Sequence, residues 1–340
     1  MNRDKTIIRR MNGDEVIAQT PTIISASRAT DIPAFYADWF IERIKRGYVK
    51  WRNPFNGVPL YVSFQNVRLI VFWSKNPKPL LKHLDFLDKR GIYYYFQYTL
   101  NDYENERIEK GVPKLAERIE TFKLLSQRIG KDKIIWRFDP LILTDTISVD
   151  YLLNRVENIG NQLKDYTEKL VFSFADIKQY KKVQTNLQKN TTNYREFNDA
   201  EMHDFARRLQ QLNLNWNLEL GTCAEPIPLE QYDIVHNKCI DDDLIIKLFP
   251  QDKSLMDFLG VKTIPSDMFN PEPRLEKTKD NRDRGQRQFC GCIISKDIGE
   301  YNTCPHQCEY CYANTSQQMA LANWKRFKNN QNTESISGEI

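Results

Sequence analysis

Thr22-Ile23-Ile24-Ser25-Ala26-Ser27-Arg28-Ala29-Thr30-Asp31-Ile32-Pro33 is the stretch on which the fold turns. Its first half is a short apolar run of the kind buried on both faces of a parallel sheet. Its second half leads into a helix. Asp31 can cap it, Pro33 suits its first turn, and Gly47 stops it after Arg46.

The unit then repeats. Strands are predicted at 69–73, 92–98, 133–138, 170–174 and 215–220, and helices at 77–90, 112–129, 149–166 and 199–212. Ser148 caps one helix, and Asn198 with Glu201 forms a capping box for another. Buried strands alternating with helices through short loops imply parallel strands with right-handed crossovers. The fold class is therefore α/β: a (β/α) TIM-like or partial barrel of parallel strands. Residues 1–21 read as an N-terminal extension, in part a short hairpin, and 48–65 as a strand-rich insertion. Residues 226–262 read as helical, with Asp241-Asp242-Asp243 opening one helix, and 264–288 as a long irregular segment. One more strand is expected within 289–303. A single barrel domain thus covers 22–327, including a cysteine cluster at 289–313, and the polar tail 328–340 is expected to be disordered.

The chain has 340 residues, enough for one α/β barrel with insertions, and 41% hydrophobic residues permit a large core. No apolar run approaches the length of a membrane span. The charged start Met1-Asn2-Arg3-Asp4-Lys5-Thr6 has no apolar segment behind it, so no signal peptide is expected. Seven cysteines without an export signal argue for a cytoplasmic location and for metal rather than disulfides. A net charge of +4 is too weak by itself to argue for nucleic acid. The basic run Arg274, Lys277, Lys279, Arg282, Arg284 and Arg287 permits a nucleic acid or phosphorylated substrate, but a solvated loop accounts for it as well.

In parallel α/β barrels the chemistry sits at the C-terminal ends of the strands. The polar residues there include Arg28, Asp31, Lys75, Thr99, Asn101, Arg137, Asp139, Asp176, Cys223 and Glu225. Capping explains Asp31 and Asp176 equally well. It does not explain Arg28, Lys75, Arg137 or Glu225, which with Asp139 are the candidate catalytic residues. If Trp136 and Phe138 share one face of their strand, Arg137 points to the other. There it needs a carboxylate partner, so an internal pair with Asp139 stands beside a ligand contact as a reading.

Cys304-Pro305-His306-Gln307-Cys308-Glu309-Tyr310-Cys311 places three cysteines at spacings of four and three. Soft thiolates so close together select an iron–sulfur cluster or zinc. Three ligands leave one iron of a four-iron cluster open. Zinc in a closed site would want a fourth ligand, which Cys292 or His306 could supply. The four histidines, His83, His203, His236 and His306, form no ligand motif of their own, which disfavours a metal-dependent hydrolase.

The Cys-x3-Cys-x-aromatic-Cys pattern resembles the radical S-adenosylmethionine (SAM) superfamily. The resemblance implies a [4Fe–4S] cluster on Cys304, Cys308 and Cys311, SAM chelated by the open iron, and Tyr310 against the adenine, with Thr99 a further cofactor-binding candidate. It also implies reductive cleavage of SAM to a 5′-deoxyadenosyl radical and a small electron-donor protein of flavodoxin or ferredoxin type. In that superfamily the motif follows the first barrel strand. Here it comes almost last, so the barrel is circularly permuted or the cysteines are an appendage of another kind. A permuted barrel requires the strand before Cys304 to lie parallel beside residues 23–26. The segment 313–324 after the cysteines reads as a helix with its N-terminus toward the cluster.

Six further segments resemble the bacterial domain-of-unknown-function 1848 family: 25–34, 52–56, 71–77, 136–140, 222–225 and the terminal cysteine cluster. That resemblance implies the cysteine centre and leaves the reaction open. The remaining cysteines, Cys223, Cys239, Cys290 and Cys292, are candidates for a second [4Fe–4S] cluster or a zinc site, against the plain reading that free cysteines are small buried hydrophobes. The rival to an enzyme is a zinc-stabilised, non-catalytic binding protein with the cysteines as a structural clasp.

Overall fold

The computed structural model describes residues 5–54, 56–189, 193–265 and 274–338. Strands β1 (Lys5–Arg9) and β2 (Glu15–Gln19) form an antiparallel hairpin. The wholly buried β3 (Ile23–Ala26) leads into α1 (Ile32–Phe35) and α2 (Ala37–Arg46). Asp31 caps α1 by accepting from the Ala34 N–H at 3.0 Å, and Gly47 ends α2 at a φ of 85°. β4 (Tyr48–Arg52) and β5 (Pro59–Ser63) are the inserted strands. They join the hairpin in a sheet of order β1-β2-β5-β4.

Alternation follows: β6 (Leu69–Ser74), a 3-10 turn and α3 (Leu84–Lys89), β7 (Tyr93–Thr99), α4 (Leu115–Ile129), β8 (Ile134–Leu141), β9 (Leu143–Thr144), α5 (Val149–Leu163), β10 (Lys169–Phe174), α6 (Lys181–Lys189), β11 (Tyr194–Arg195), α7 (Asp199–Asn213) and β12 (Glu219–Thr222). The chain continues through β13 (Ile234–His236), α8 (Asp242–Leu248), α9 (Lys253–Leu259), β14 (Val261–Ile264), β15 (Arg274–Lys277), β16 (Lys296–Asp297) and α10 (Gln317–Asn329). No helix among the described residues is long and apolar enough to cross a membrane.

Eight strands make one parallel sheet of order β13-β12-β10-β8-β7-β6-β3-β16. The strand before the cysteine loop does lie parallel beside β3, with Lys296 opposite Ile24 and Asp297 opposite Ser25. The sheet is not closed: among the described residues no ladder joins β13 to β16. The chain beyond the two edges does meet, where the Ile293 N–H donates to Ile240 O at 3.1 Å.

The pleat sorts the side chains. Ile70, Phe72, Phe96, Trp136, Phe138 and Phe172 form one core with helices α2, α4, α5 and α7, through Phe40, Phe122, Val156 and Phe205. Leu69, Val71, Tyr95, Ile135 and Val171 face the other way, onto Ile245, Phe249, Leu255 and Leu259 of α8 and α9. Two residues further along each of four of these rows stand Trp73, Gln97, Arg137 and Ser173. The inner face therefore turns from apolar to largely polar toward the C-terminal ends of the strands.

Several expectations need correction. The strand expected at 215–220 begins at Glu219, because Asn217 takes a left-handed φ of 55° and Asn213 bonds Leu218 N and O in a turn. Residues 226–262 include β13, a strand of the main sheet. Residues 274–277 are half of a hairpin with β14, within the segment expected to be irregular. The tail is packed: Thr333, Glu334, Ser335 and Ile336 are buried. Trp39 Nε1 donates to Thr333 O at 2.8 Å and the Lys50 N–H to Glu334 O at 2.8 Å. The Glu334 carboxylate accepts from Arg10 Nε at 3.1 Å, from the Met11 N–H at 3.1 Å and from Tyr48 Oη, so the two chain ends hold each other.

Candidate metal centre

The Cys304–Cys311 loop lies over the ends of β3 and β6 and against the connection between β7 and α4. Asp31 is its anchor. Besides capping α1, its carboxylate accepts from Ser74 Oγ at 2.7 Å and the Lys75 N–H at 2.7 Å, and it bonds His306 Nε2 at 2.7 Å. The other imidazole nitrogen, Nδ1, is 3.2 Å from Gly111 O. Tyr36 Oη donates to Thr303 O at 2.6 Å. Glu109 and Cys308 form an antiparallel bridge, the Glu309 N–H donates to Ile108 O at 2.9 Å, and the Gly111 N–H donates to His306 O at 2.8 Å. A Cβ on Gly111 would stand 2.5 Å from Pro305 O, so only glycine permits this approach.

Tyr310 reaches back into the same connection. Its hydroxyl accepts from Lys75 Nζ at 2.8 Å and Asn101 Nδ2 at 3.1 Å and donates to Glu109. Lys75 also pairs with Glu109 at 2.8 Å. Burial alone would raise the Glu109 pKa, but Lys75 and Arg118 outweigh it and hold the carboxyl down at about 2. Sequence reasoning missed Glu109. The available signal was a carboxylate in a long connection leaving the C-terminal end of a strand.

Burial pushes the Cys304 thiol up to about 12 and raises Cys308 and Cys311, so without a cation these groups keep their protons. The surroundings suit a thiolate-bound cation. The backbone N–H groups of His306 and Asp31 face Cys304, those of Ala313 and Asn314 face Cys311, and Lys75 is within electrostatic reach of Cys308 and Cys311. The amides near Cys311 belong to a turn. The expected helix starts later, at Gln317, because Ser316 caps it by accepting from the Met319 N–H at 3.1 Å.

The other candidates divide between two places. Lys75 belongs with Tyr310 and the cysteine loop. Arg137 is buried on the inner face, donating to Gln97 Oε1 at 3.0 Å and Cys239 Sγ at 3.0 Å and pairing with Asp139. The internal Arg137–Asp139 pair is thus present. Asp139 also accepts from Ser173 Oγ, and its N–H donates to Asn101 Oδ1 at 2.8 Å. Arg28 and Arg137 each lie over the Trp73 ring, at 5.0 and 5.2 Å. Glu225 is buried and accepts from the Phe174 N–H at 3.0 Å; burial, with Asp176 nearby, pushes its pKa up to about 8. Thr99 ends β7 opposite Arg137. Cys223, Cys239, Cys290 and Cys292 come together: Cys223 Sγ is 3.6 Å from Cys239 Sγ, and Cys292 interacts with both Cys239 and Cys290.

Much of the basic run is engaged within the fold. Lys277 pairs with Asp242, Arg282 Nε donates to Cys290 O at 3.1 Å, and Arg287 lies 3.7 Å from Asp176. Among the described residues, the one set of three candidate ligands with donor atoms all within 4.8 Å is Asp241, Asp242 and Asp243. Lys238 and Lys277 already neutralise Asp242. Both cysteine groups are more open than that.

No curated protein and no solved structure matches the chain. A family model does match, over residues 23–313, from β3 through the cysteine loop, and the chain belongs to that family, described as Domain of unknown function (DUF1848).

Proposed function

We propose that Cys304, Cys308 and Cys311 hold a [4Fe–4S] cluster and that the protein is a cytoplasmic radical SAM enzyme built on a circularly permuted partial barrel. The observation that carries this reading is that neither candidate fourth ligand is free for the loop among the described residues. Both nitrogens of His306 are taken, by Asp31 and Gly111, and Cys292 is turned to Cys239 and Cys290. A structural zinc ion wants four protein ligands, whereas a cluster that binds a small molecule wants three. This counts against the zinc clasp.

Held by Cys304, Cys308 and Cys311, such a cluster would supply the one-electron reductive cleavage of SAM and, through it, hydrogen abstraction from a substrate. The chain's own residues would orient and enclose. Asp31 and His306 fix the loop over the strand ends. Lys75 and Glu109 fix the Tyr310 hydroxyl, which orients its half-buried ring beside the loop. Arg137 and Asp139 belong to the polar inner face where a substrate would lie, and Glu225 would stand nearby at the end of β12. The electron would come from a small donor protein of flavodoxin or ferredoxin type. The engagement of Lys277, Arg282 and Arg287 within the fold weakens the argument for a nucleic acid substrate.

The test is anaerobic reconstitution with iron and sulfide, followed by reductant and SAM. Methionine and 5′-deoxyadenosine should appear, and Cys304→Ala should make neither. Colourless protein with one zinc on the loop and no SAM cleavage would overturn the assignment.

A further inference from the structure

Cys223 follows β12, Cys239 follows β13, and Cys290 and Cys292 precede β16. Three chain segments thus deliver four sulfurs to one place on the inner face. The sulfurs form an open chain, Cys223–Cys239–Cys292–Cys290, beginning with the 3.6 Å contact. Donors converge on it. Arg137 Nη1 is 3.0 Å and Asn237 Nδ2 3.2 Å from Cys239 Sγ, while the Cys239 and Ile240 N–H groups are 3.3 and 3.4 Å from Cys292 Sγ. A thiol sulfur is a weak acceptor. Four donors aimed at two sulfurs are better satisfied by thiolates.

The charge points the same way. Arg28 Nη2 is buried without a hydrogen-bond partner, and its guanidinium is within electrostatic reach of Cys292, Asp297 and Cys239. Asp139 pairs with Arg137, but no carboxylate bonds the Arg28 guanidinium among the described residues. Two arginines over the Trp73 ring suit an anionic centre. Four thiolates around a doubly charged core, a single zinc ion or an oxidised [4Fe–4S] cluster, carry a net charge of about −2.

We infer that Cys223, Cys239, Cys290 and Cys292 are the ligands of a second metal centre, closed by four thiolates, compensated by Arg28 and Arg137 and joining the two edges of the parallel sheet. The location gives it a mechanical role. Cys223 and Cys239 belong to the β12–β13 edge, and Cys290 and Cys292 to the segment that runs on to β16. Among the described residues, the Ile293–Ile240 hydrogen bond is the one backbone–backbone link between these segments on the β13 side, and the metal would clamp it. The centre does not depend on the loop chemistry proposed above, because it shares no ligand with Cys304, Cys308 and Cys311.

The test is metal analysis of anaerobically purified wild-type protein, of Cys304→Ala/Cys308→Ala/Cys311→Ala, and of Cys239→Ser and Cys290→Ser. The triple variant should keep about one zinc or about four irons per chain. Cys239→Ser and Cys290→Ser should lose that same metal while keeping the metal of the loop. Zinc and iron identify the two forms of the centre. A triple variant without bound metal would overturn the inference even if the serine variants fail to fold, as would serine variants with wild-type metal content. Wild-type protein with no more metal than the triple variant would sink the proposed function and leave the second centre standing.

Discussion

His306 Nε2 lies 2.7 Å from Asp31 Oδ2, although 275 positions separate the two residues in the chain. The contact ties the cysteine loop near the C-terminus to the first strand–helix turn of the parallel sheet. Asp31→Ala would strip the acceptor from the Ser74 hydroxyl, two backbone N–H groups and the imidazole at once. It is expected to cost about 3 kcal/mol of stability, since each stranded buried donor costs roughly 1 kcal/mol or more. Urea denaturation measures it, and a loss below about 0.5 kcal/mol would contradict the anchoring role.

Lys75→Met should destabilise by about 2–3 kcal/mol, because it leaves the Glu109 carboxylate buried with only Arg118, 4.0 Å away, as a charged partner. Lys75→Met/Glu109→Gln should recover much of the loss. A double-mutant cycle with a coupling near zero would show that the pair is not a unit.

Gly111→Ala should detach the cysteine loop while leaving the sheet folded, because its Cβ would collide with Pro305 O and His306 O. The expected cost is about 2 kcal/mol, typical of overpacking. Hydrogen exchange should rise in residues 303–312 and stay unchanged in β6–β8. Uniform protection across both regions would refute the close approach.

The Glu334 contacts predict a pH dependence. Burial alone would raise its carboxyl, but the Tyr48 hydroxyl, the Met11 N–H and Arg10 outweigh it and lower the pKa. A depressed folded pKa gives stability that is present above the unfolded value, about 4.3 for a glutamate, and is lost as the pH falls from there through the folded pKa. Glu334→Gln should be less stable than wild type at neutral pH, by about 1–2 kcal/mol. The difference should shrink on acidification through that window. A difference independent of pH would rule out a charged Glu334 as the cause.

The sheet was largely legible because its strands are short, largely apolar runs and glycines such as Gly47 and Gly130 end the helices between them. The position of β16 beside β3 is the one that a permuted barrel, one of the two readings of the motif order, required. The start of β12 was not legible, because Leu214-Asn215-Trp216-Asn217-Leu218 alternates like a strand while Asn213 and Asn217 fold it into a turn. The packed tail escaped because Thr333-Glu334-Ser335 is polar and is held by hydrogen bonds rather than apolar burial. Glu109 escaped because two of its partners, Lys75 and Tyr310, lie 34 and 201 positions away in the chain.

Electron paramagnetic resonance of the anaerobically reduced, iron-reconstituted protein tests the central claim most directly. The account predicts a reduced [4Fe–4S] signal that shifts when SAM is added, persists in Cys239→Ser, and is missing from the loop's share of the spectrum in Cys308→Ala. A wild-type spectrum without a cluster signal, or one that SAM leaves unchanged, would contradict it.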